Sequence, residues 1–318
     1  MRRLRIAIVG CKNMGKKHLN CLRNNFADRV RVVGILNSTT ESTQKTAREL
    51  EVEALESLEK ISKRKIDAVI ISTPPENHYE TAKILLEKGM PLLIEKPLTT
   101  DVEQSYELLQ IAKQKEVPVL VGHTENYNPA VMKLKEILDC SVKSIAAIRT
   151  SQNGGVKDTH IISELMIHDL AIVNSLLQDE WNEARVSKKE EYRWDEHAVV
   201  EMKYNKGSIV RLEALRSDDI ELKRQMRIID SQNNIWQINF MERELIRNGD
   251  VLCSGGDSLK NELRNFVDIL QCKAEPQVGV KEACQIVNLC NELEIINKNP
   301  QKNLLNYCID KNSSLYKN

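Results

Sequence analysis

The chain has 318 residues and balances 46 Lys+Arg against 46 Asp+Glu, for a formal net charge of zero. At about 150 residues per domain, that length suits two domains, each with a core of its own. Only 4% of the residues are aromatic and there is no basic excess, so the chain lacks both a stacking platform for single strands and a field for a phosphate backbone. Nucleic acid is not an expected partner.

The opening Met-Arg-Arg-Leu-Arg precedes IAIVG, whose apolar stretch breaks at Lys12 with no small-residue cleavage pattern. It reads as a first strand and not as a leader. No apolar run approaches the roughly 18 residues of a membrane span, so no membrane partner is expected. Cys11, Cys21, Cys140, Cys253, Cys272, Cys284, Cys290 and Cys308 form no Cys-x-x-Cys pair. That scatter suits reduced thiols in a cytoplasmic protein better than a disulfide framework or a zinc site. No metal site is expected.

From residue 5 to 122, short apolar runs alternate with amphipathic stretches. Strands are expected at 5–9, 31–36, 67–72, 91–95 and 117–122, with helices at 14–25, 40–50, 77–89 and 101–115. Continuous Val/Ile/Leu runs mark strands buried on both faces, as a doubly wound parallel sheet requires. After 123 the rhythm changes. A strand over 144–151 and an apolar helix over 162–177 lead into period-two runs at 197–204, 207–215, 225–230 and 234–240, the mark of an antiparallel sheet. Helices over 257–272 and 280–296 follow. The expected fold class is α/β: a Rossmann-like domain over 1–123, an α+β domain with a mostly antiparallel sheet over 124–297, and a polar tail over 298–318.

The first strand ends at Gly10, and the turn Gly10-Cys11-Lys12-Asn13-Met14-Gly15 opens the first helix. This is a phosphate loop in which Lys12 replaces the middle glycine. The outer glycines serve the tight turn and close helix packing, and the helix N-terminus favours a pyrophosphate. About twenty residues on, Asn37 and Ser38 stand where an NAD site usually has a carboxylate for the adenosine ribose. Asn37 can bond a hydroxyl without repelling a 2′-phosphate, so NAD is expected and NADP stays open.

Between 71 and 97 the chain reads Thr73-Pro74, then His78, then Glu95-Lys96-Pro97, each group at the end of an apolar run. In order and spacing this resembles the Gfo/Idh/MocA oxidoreductases, among them glucose–fructose oxidoreductase and inositol dehydrogenase. The resemblance implies that Thr73, Pro74, His78 and Glu95 help to hold the dinucleotide. It also implies that Lys96 lies by the nicotinamide and hydrogen-bonds the reacting hydroxyl. A second family signature, an acid four residues before a histidine, matches Glu164 and His168, followed by Asp169. The family more often has Asp at the first position. On an α-helix this i, i+4 spacing would put both side chains on one face. An imidazole titrating near 6.5 suits proton removal from an alcohol.

The segment VGHTENYNPAV, 121–131, resembles the corresponding stretch of nucleotide-sugar members, particularly UDP-N-acetylglucosamine 3-dehydrogenases. It makes His123, Asn126 and Tyr127 candidate substrate contacts, with Asn126 in place of the usual Arg and Tyr127 in place of Phe. The resemblance therefore implies an NAD(P)-dependent enzyme oxidising a secondary hydroxyl of a sugar or nucleotide sugar, with the 3-hydroxyl of UDP-N-acetylglucosamine as first expectation. Lys96, His168 and Glu164 would be catalytic, and the second-domain sheet would mediate a homo-oligomer. An inositol or a free sugar is the alternative substrate. The departures at Lys12, Asn126 and Glu164 leave a further alternative, a dinucleotide-binding sensor or partner module without turnover.

Overall fold

The computed structural model describes residues 2–63, 65–152 and 160–298. They form two compact units. One comprises residues 2–128 with Gly256–Asn288; the other comprises Pro129–Gly255 with Leu289–Lys298, all counted over the described residues.

The first unit is built on five parallel strands: β1 (Leu4–Val9), β2 (Val30–Leu36), β3 (Ala68–Ile71), β4 (Leu92–Glu95) and β5 (Val119–Gly122), in the order β2-β1-β3-β4-β5. Ala68–Ile71 is buried at every position, and so are Ile6–Ile8 and Leu92–Ile94, as strands covered on both faces must be. The sheet reverses direction of growth at β1, and its strand ends carry the Gly10 turn, Thr73 and Glu95-Lys96. Such a switch point, at the carboxyl ends of the strands, is where open α/β sheets bind ligands. Helices α1 (Asn13–Asn25), α2 (Thr40–Glu49), α3 (Leu58–Lys63), α4 (His78–Leu86) and α5 (Val102–Lys115) connect the strands. Thr39 caps α2 by accepting from the Ser42 N–H, and Asp101 caps α5 by accepting from the Gln104 N–H.

The second unit opens with α6 (Pro129–Ile137) and β6 (Val142–Ser151), continues through a π turn over Ile162–Met166 into α7 (Ile167–Leu177), and then runs almost entirely in strands. These are β7 (Trp181–Ser187), β8 (His197–Tyr204), β9 (Ile209–Arg216), β10 (Arg224–Asp230), β11 (Ile235–Asn239), β12 (Glu244–Arg247) and β13 (Asp250–Cys253). The sheet order is β13-β12-β11-β10-β6-β9-β8-β7. Every pairing is antiparallel except β6 with β9, so the expected α/β class with a mostly antiparallel second sheet is what the chain forms. The sequence reading missed β7, β12 and β13. Two of them are the sheet's edges, and β13 is exposed at three of its four positions, which leaves no apolar alternation to read.

Two helices end the described residues, α8 (Ser258–Leu270) and α9 (Val280–Lys298). The expected second domain ran unbroken over 124–297, but 256–288 packs in the first unit. Leu263, Phe266 and Val267 of α8 join Ile6, Ile8, Leu19 and Leu22 in that unit's core. Asp257 caps α8 by accepting from the Lys260 N–H. The expected tail, from residue 299, and Cys308 lie outside the described residues. Cys11, Cys21, Cys140, Cys253, Cys272, Cys284 and Cys290 are free thiols. Among the described residues no helix is long and apolar enough to cross a membrane.

Candidate active site

Gly10 sits at φ +88°, a conformation that disfavours any side chain, and a Cβ there would lie 2.4 Å from the Thr73 nitrogen. Gly15 is equally constrained, since its Cβ would fall 2.5 Å from the Gly10 oxygen. The Ser72 hydroxyl donates to the Gly10 carbonyl at 2.9 Å, which ties the loop to the end of β3. Lys12 occupies the N-cap of α1 without a capping bond, and the first turn holds no acid. The positive end of the helix is therefore uncancelled, and Lys12 and Asn13 are exposed beside it while Met14 is half-buried. These features fit a dinucleotide's pyrophosphate, which needs backbone approach and unopposed N–H groups. The Thr73 hydroxyl, buried and without a hydrogen-bond partner at the strand end, adds an unspent polar group.

Asn37 is turned inward. Its Oδ1 accepts from the Cys11 N–H at 2.7 Å, and its amide donates to the Ser42 carbonyl at 3.3 Å and the Thr46 hydroxyl at 3.2 Å. The side chain expected to meet the ribose thus braces the phosphate loop against α2, while Ser38 stands exposed next to it.

His78 is buried at the start of α4 with both ring nitrogens on carbonyls, Nδ1 at 2.8 Å from Pro97 and Nε2 at 2.9 Å from Thr73. One imidazole therefore joins the Thr73-Pro74 turn to the cis Lys96–Pro97 bond, which places His78 in the framework of both motifs. Glu95 and Lys96 are half-buried at the end of β4, and Glu95 meets the buried His18 at 2.7 Å.

His123, which follows β5, is 1% exposed, and its Nδ1 has no hydrogen-bond partner. Burial, helped by the charge of Lys96, pulls the imidazole down to about 3. His123 is thus neutral near pH 7. As pH falls below about 6.5, the unfolded chain takes up a proton that the folded chain refuses. The stability contributed by neutral His123 is complete above that value and is lost as pH falls toward 3. We expect His123→Gln to lose less stability than the parent between about pH 7 and pH 4, measured by urea unfolding. Equal losses would remove His123 as the source.

Asn126 and Tyr127 lie in a short 3-10 turn, Thr124–Tyr127, and are both 0% exposed. The Tyr127 hydroxyl donates to Asn265 at 2.9 Å, and its carbonyl accepts from Asn261 at 3.2 Å. Tyr127 thus anchors the turn to α8 from within the core. As a substrate contact it would have to leave that core, so the 121–131 segment carries packing information above all.

In the second unit, Glu164 lies in the π turn and not in an α-helix, so the i, i+4 stacking argument does not hold for it; the Ile167 N–H reaches back to the Ile162 carbonyl. Extra turns of this kind recur at functional sites. Glu164 is ion-paired with Arg216 at the end of β9, a partner 52 residues away that no local spacing announces. His168 is half-buried in the first turn of α7. The next residue, Asp169, accepts two hydrogen bonds from Arg149 of β6, at 2.9 and 2.8 Å, in a pair almost wholly out of solvent. That bond fixes the turn of α7 from which His168 projects.

Residues 4–123 match the family model GFO_IDH_MocA, described as an oxidoreductase family with an NAD-binding Rossmann fold. The chain is 26% identical over 252 residues to a UDP-N-acetylglucosamine 3-dehydrogenase of Acidithiobacillus ferrooxidans, an alignment covering 77% of this chain and 75% of that protein. It is 26% identical over 189 residues to an inositol 2-dehydrogenase of Mycolicibacterium vanbaalenii, covering 57% of this chain and 55% of the relative. Among solved structures, the Acidithiobacillus ferrooxidans UDP-N-acetylglucosamine 3-dehydrogenase superposes with a TM-score of 0.85 at 23% identity, over 93% of this chain and 98% of that one. A putative myo-inositol dehydrogenase from Sinorhizobium meliloti gives 0.77 at 17% identity, over 91% and 95%. These superpositions establish the fold. The NAD-binding domain and the oxidoreductase class follow from the family match.

Proposed function

For a chain whose N-terminal domain is that of the Gfo/Idh/MocA oxidoreductases, we propose oxidation of the 3-hydroxyl of UDP-N-acetylglucosamine to a 3-keto sugar. The observation that carries the reading is the joined framework of the Gly10–Gly15 loop, the Thr73 turn and the Glu95-Lys96-Pro97 turn, held by Ser72 and His78. It supports the nucleotide-sugar substrate that the alignment with the UDP-N-acetylglucosamine enzyme runs over 252 residues, against 189 for the inositol enzyme at the same 26% identity.

A nicotinamide dinucleotide, when bound, supplies the hydride acceptor. Gly10, Gly15 and the first turn of α1 would hold its phosphates, with Lys12, Asn13, Met14, Ser38, Thr73 and Pro74 around them. Lys96 hydrogen-bonds the reacting hydroxyl and stabilises the alkoxide that develops as hydride leaves carbon. His168 takes the hydroxyl proton, a role worth about 10²–10⁴-fold. Glu164, paired with Arg216, orients the segment that presents His168. A homo-oligomer through the eight-stranded sheet belongs to the same proposal.

The test follows nicotinamide absorbance with NAD and NADP against UDP-N-acetylglucosamine, myo-inositol and free hexoses. Turnover of the nucleotide sugar with NAD is expected. Preference for myo-inositol would move the substrate to the inositol dehydrogenases that also match. Dinucleotide binding with no oxidation, and no reduction of the keto forms, would overturn the enzymatic reading in favour of a sensor.

A further inference from the structure

His18 of α1, Glu95 of β4 and Glu262 of α8 are far apart in sequence, yet each offers an atom within 4.8 Å of the others inside the first unit. His18 Nε2 lies 2.7 Å from Glu95 Oε1. The other Glu95 oxygen faces Gly122 so closely that a Cβ there would lie 3.3 Å from it. Glu262 is 0% exposed, and neither of its carboxyl oxygens makes a well-formed hydrogen bond; the Thr124 side chain faces it and offsets only part of the effect of burial.

Two carboxylates within 4.8 Å of each other, one of them wholly buried, disfavour double ionisation. The charge settles on the partner that is better compensated. Glu95 has His18 against it and retains some solvent contact, at 12% of its side chain. Glu262 has neither. Burial first, and the Glu95 charge second, push Glu262 well above the usual carboxylate range. The groups facing it are His18 and Cys21 from α1, Glu95 from β4, and Thr124 and Tyr127 from the turn after β5. Of these only His18 can carry positive charge, and its Nε2 is turned to Glu95.

We propose that Glu262 is a positioning residue of this enzyme: held as a neutral carboxylic acid, it lets Glu95 keep its charge on His18 and so fixes the turn that presents Lys96. Ionised, Glu262 would repel Glu95 and shift the residue next to Lys96. The proposal rests on the role given to Lys96 above, but its first readout needs no substrate.

Infrared spectra of the full chain near pH 7 are expected to show the carbonyl stretch of an un-ionised carboxylic acid, lost in Glu262→Gln. The proton is bound in the folded chain and released from the unfolded one above about 4.3. Stability from it is therefore complete below that value and is lost as pH rises through the folded value, which gives the parent a steeper alkaline decline than Glu262→Gln. With a substrate in hand, Glu262→Ala is expected to lower kcat by up to about 10²-fold, the cost of a small misplacement, at unchanged dinucleotide Kd. Glu262→Gln should recover most of that loss. Absence of the acid band, its persistence in Glu262→Gln, or a stoichiometric divalent metal in the purified protein would overturn the proposal. The band and the metal analysis on the parent protein stand even if the variant does not fold. Failure of every candidate sugar alongside an intact acid band would sink the substrate assignment and leave the buried acid standing.

Discussion

Lys96→Ala is expected to lower kcat by about 10²–10⁴-fold while dinucleotide affinity holds. The side chain stands at the end of β4, whose three preceding residues, Leu92–Ile94, are wholly buried. The peptide after it is gripped at the Pro97 carbonyl by His78, and the residue before it is gripped by His18. The ammonium is therefore delivered by a backbone with little freedom to move, and pre-set charge is what stabilises a developing alkoxide at low reorganisation cost. Arginine should not rescue, because a broad planar fork does not replace a compact point charge. An internal control comes from His123. Removing the Lys96 charge lifts one of the two effects that hold its imidazole near 3, so its titration should move up yet stay below the ordinary value, since burial is the larger effect. Unchanged kcat alongside a moved His123 would show that the lysine was lost and the chemistry did not need it.

Arg149→Ala is expected to destabilise the second unit by about 3–5 kcal/mol, because it strands the buried Asp169 carboxylate. Both side chains are nearly inaccessible, at 2% and 3%, and the guanidinium also lies 4.9 Å from the centre of the Phe240 ring. The cost lies in the charge left behind more than in the bond lost. Arg149→Met combined with Asp169→Leu should therefore recover much of the stability that Arg149→Ala loses, read from urea midpoints. Equal losses in the single and double variants would mean that packing around Arg149, and not the orphaned charge, carries the energy. Activity should not recover with stability, because Asp169 adjoins His168 on the turn that presents it.

The first unit was legible because its strands are buried on both faces. AVII and LLIE announce themselves by composition, and the glycine turn after β1 by its chemistry. The motif positions Thr73, His78 and Lys96 are picked out by their resemblance, in order and spacing, to the Gfo/Idh/MocA oxidoreductases. What spacing could not convey was which polar groups are already spent. Asn37 looked available for a ribose and is occupied by Cys11. Tyr127 looked like a substrate contact and is locked to Asn265. Glu164 looked like a partner of His168 and is held by Arg216. Each of these partners is brought in by tertiary folding from a distant stretch, where no periodicity points to it. The His18–Glu95–Glu262 cluster was invisible for the same reason, since its members come from three elements that meet only once the unit has closed.

The return of 256–288 to the first unit also bears on how the protein is made. A ribosome delivers residues 1–128 first, but the helix that fills the core beside Leu19 and Leu22 emerges only after the whole β-rich insertion. Until then Ile6, Ile8 and Tyr127 lack the cover of Leu263 and Phe266, an exposed apolar face of the kind that recruits chaperones. A nascent chain stalled before Ser258 would hold the five strands and the glycine turn yet be left open on one side. A truncated N-terminal fragment should accordingly aggregate unless the α8 segment is supplied as a separate peptide, so cutting the chain at the end of its nucleotide-binding motif would not yield a minimal dinucleotide-binding module.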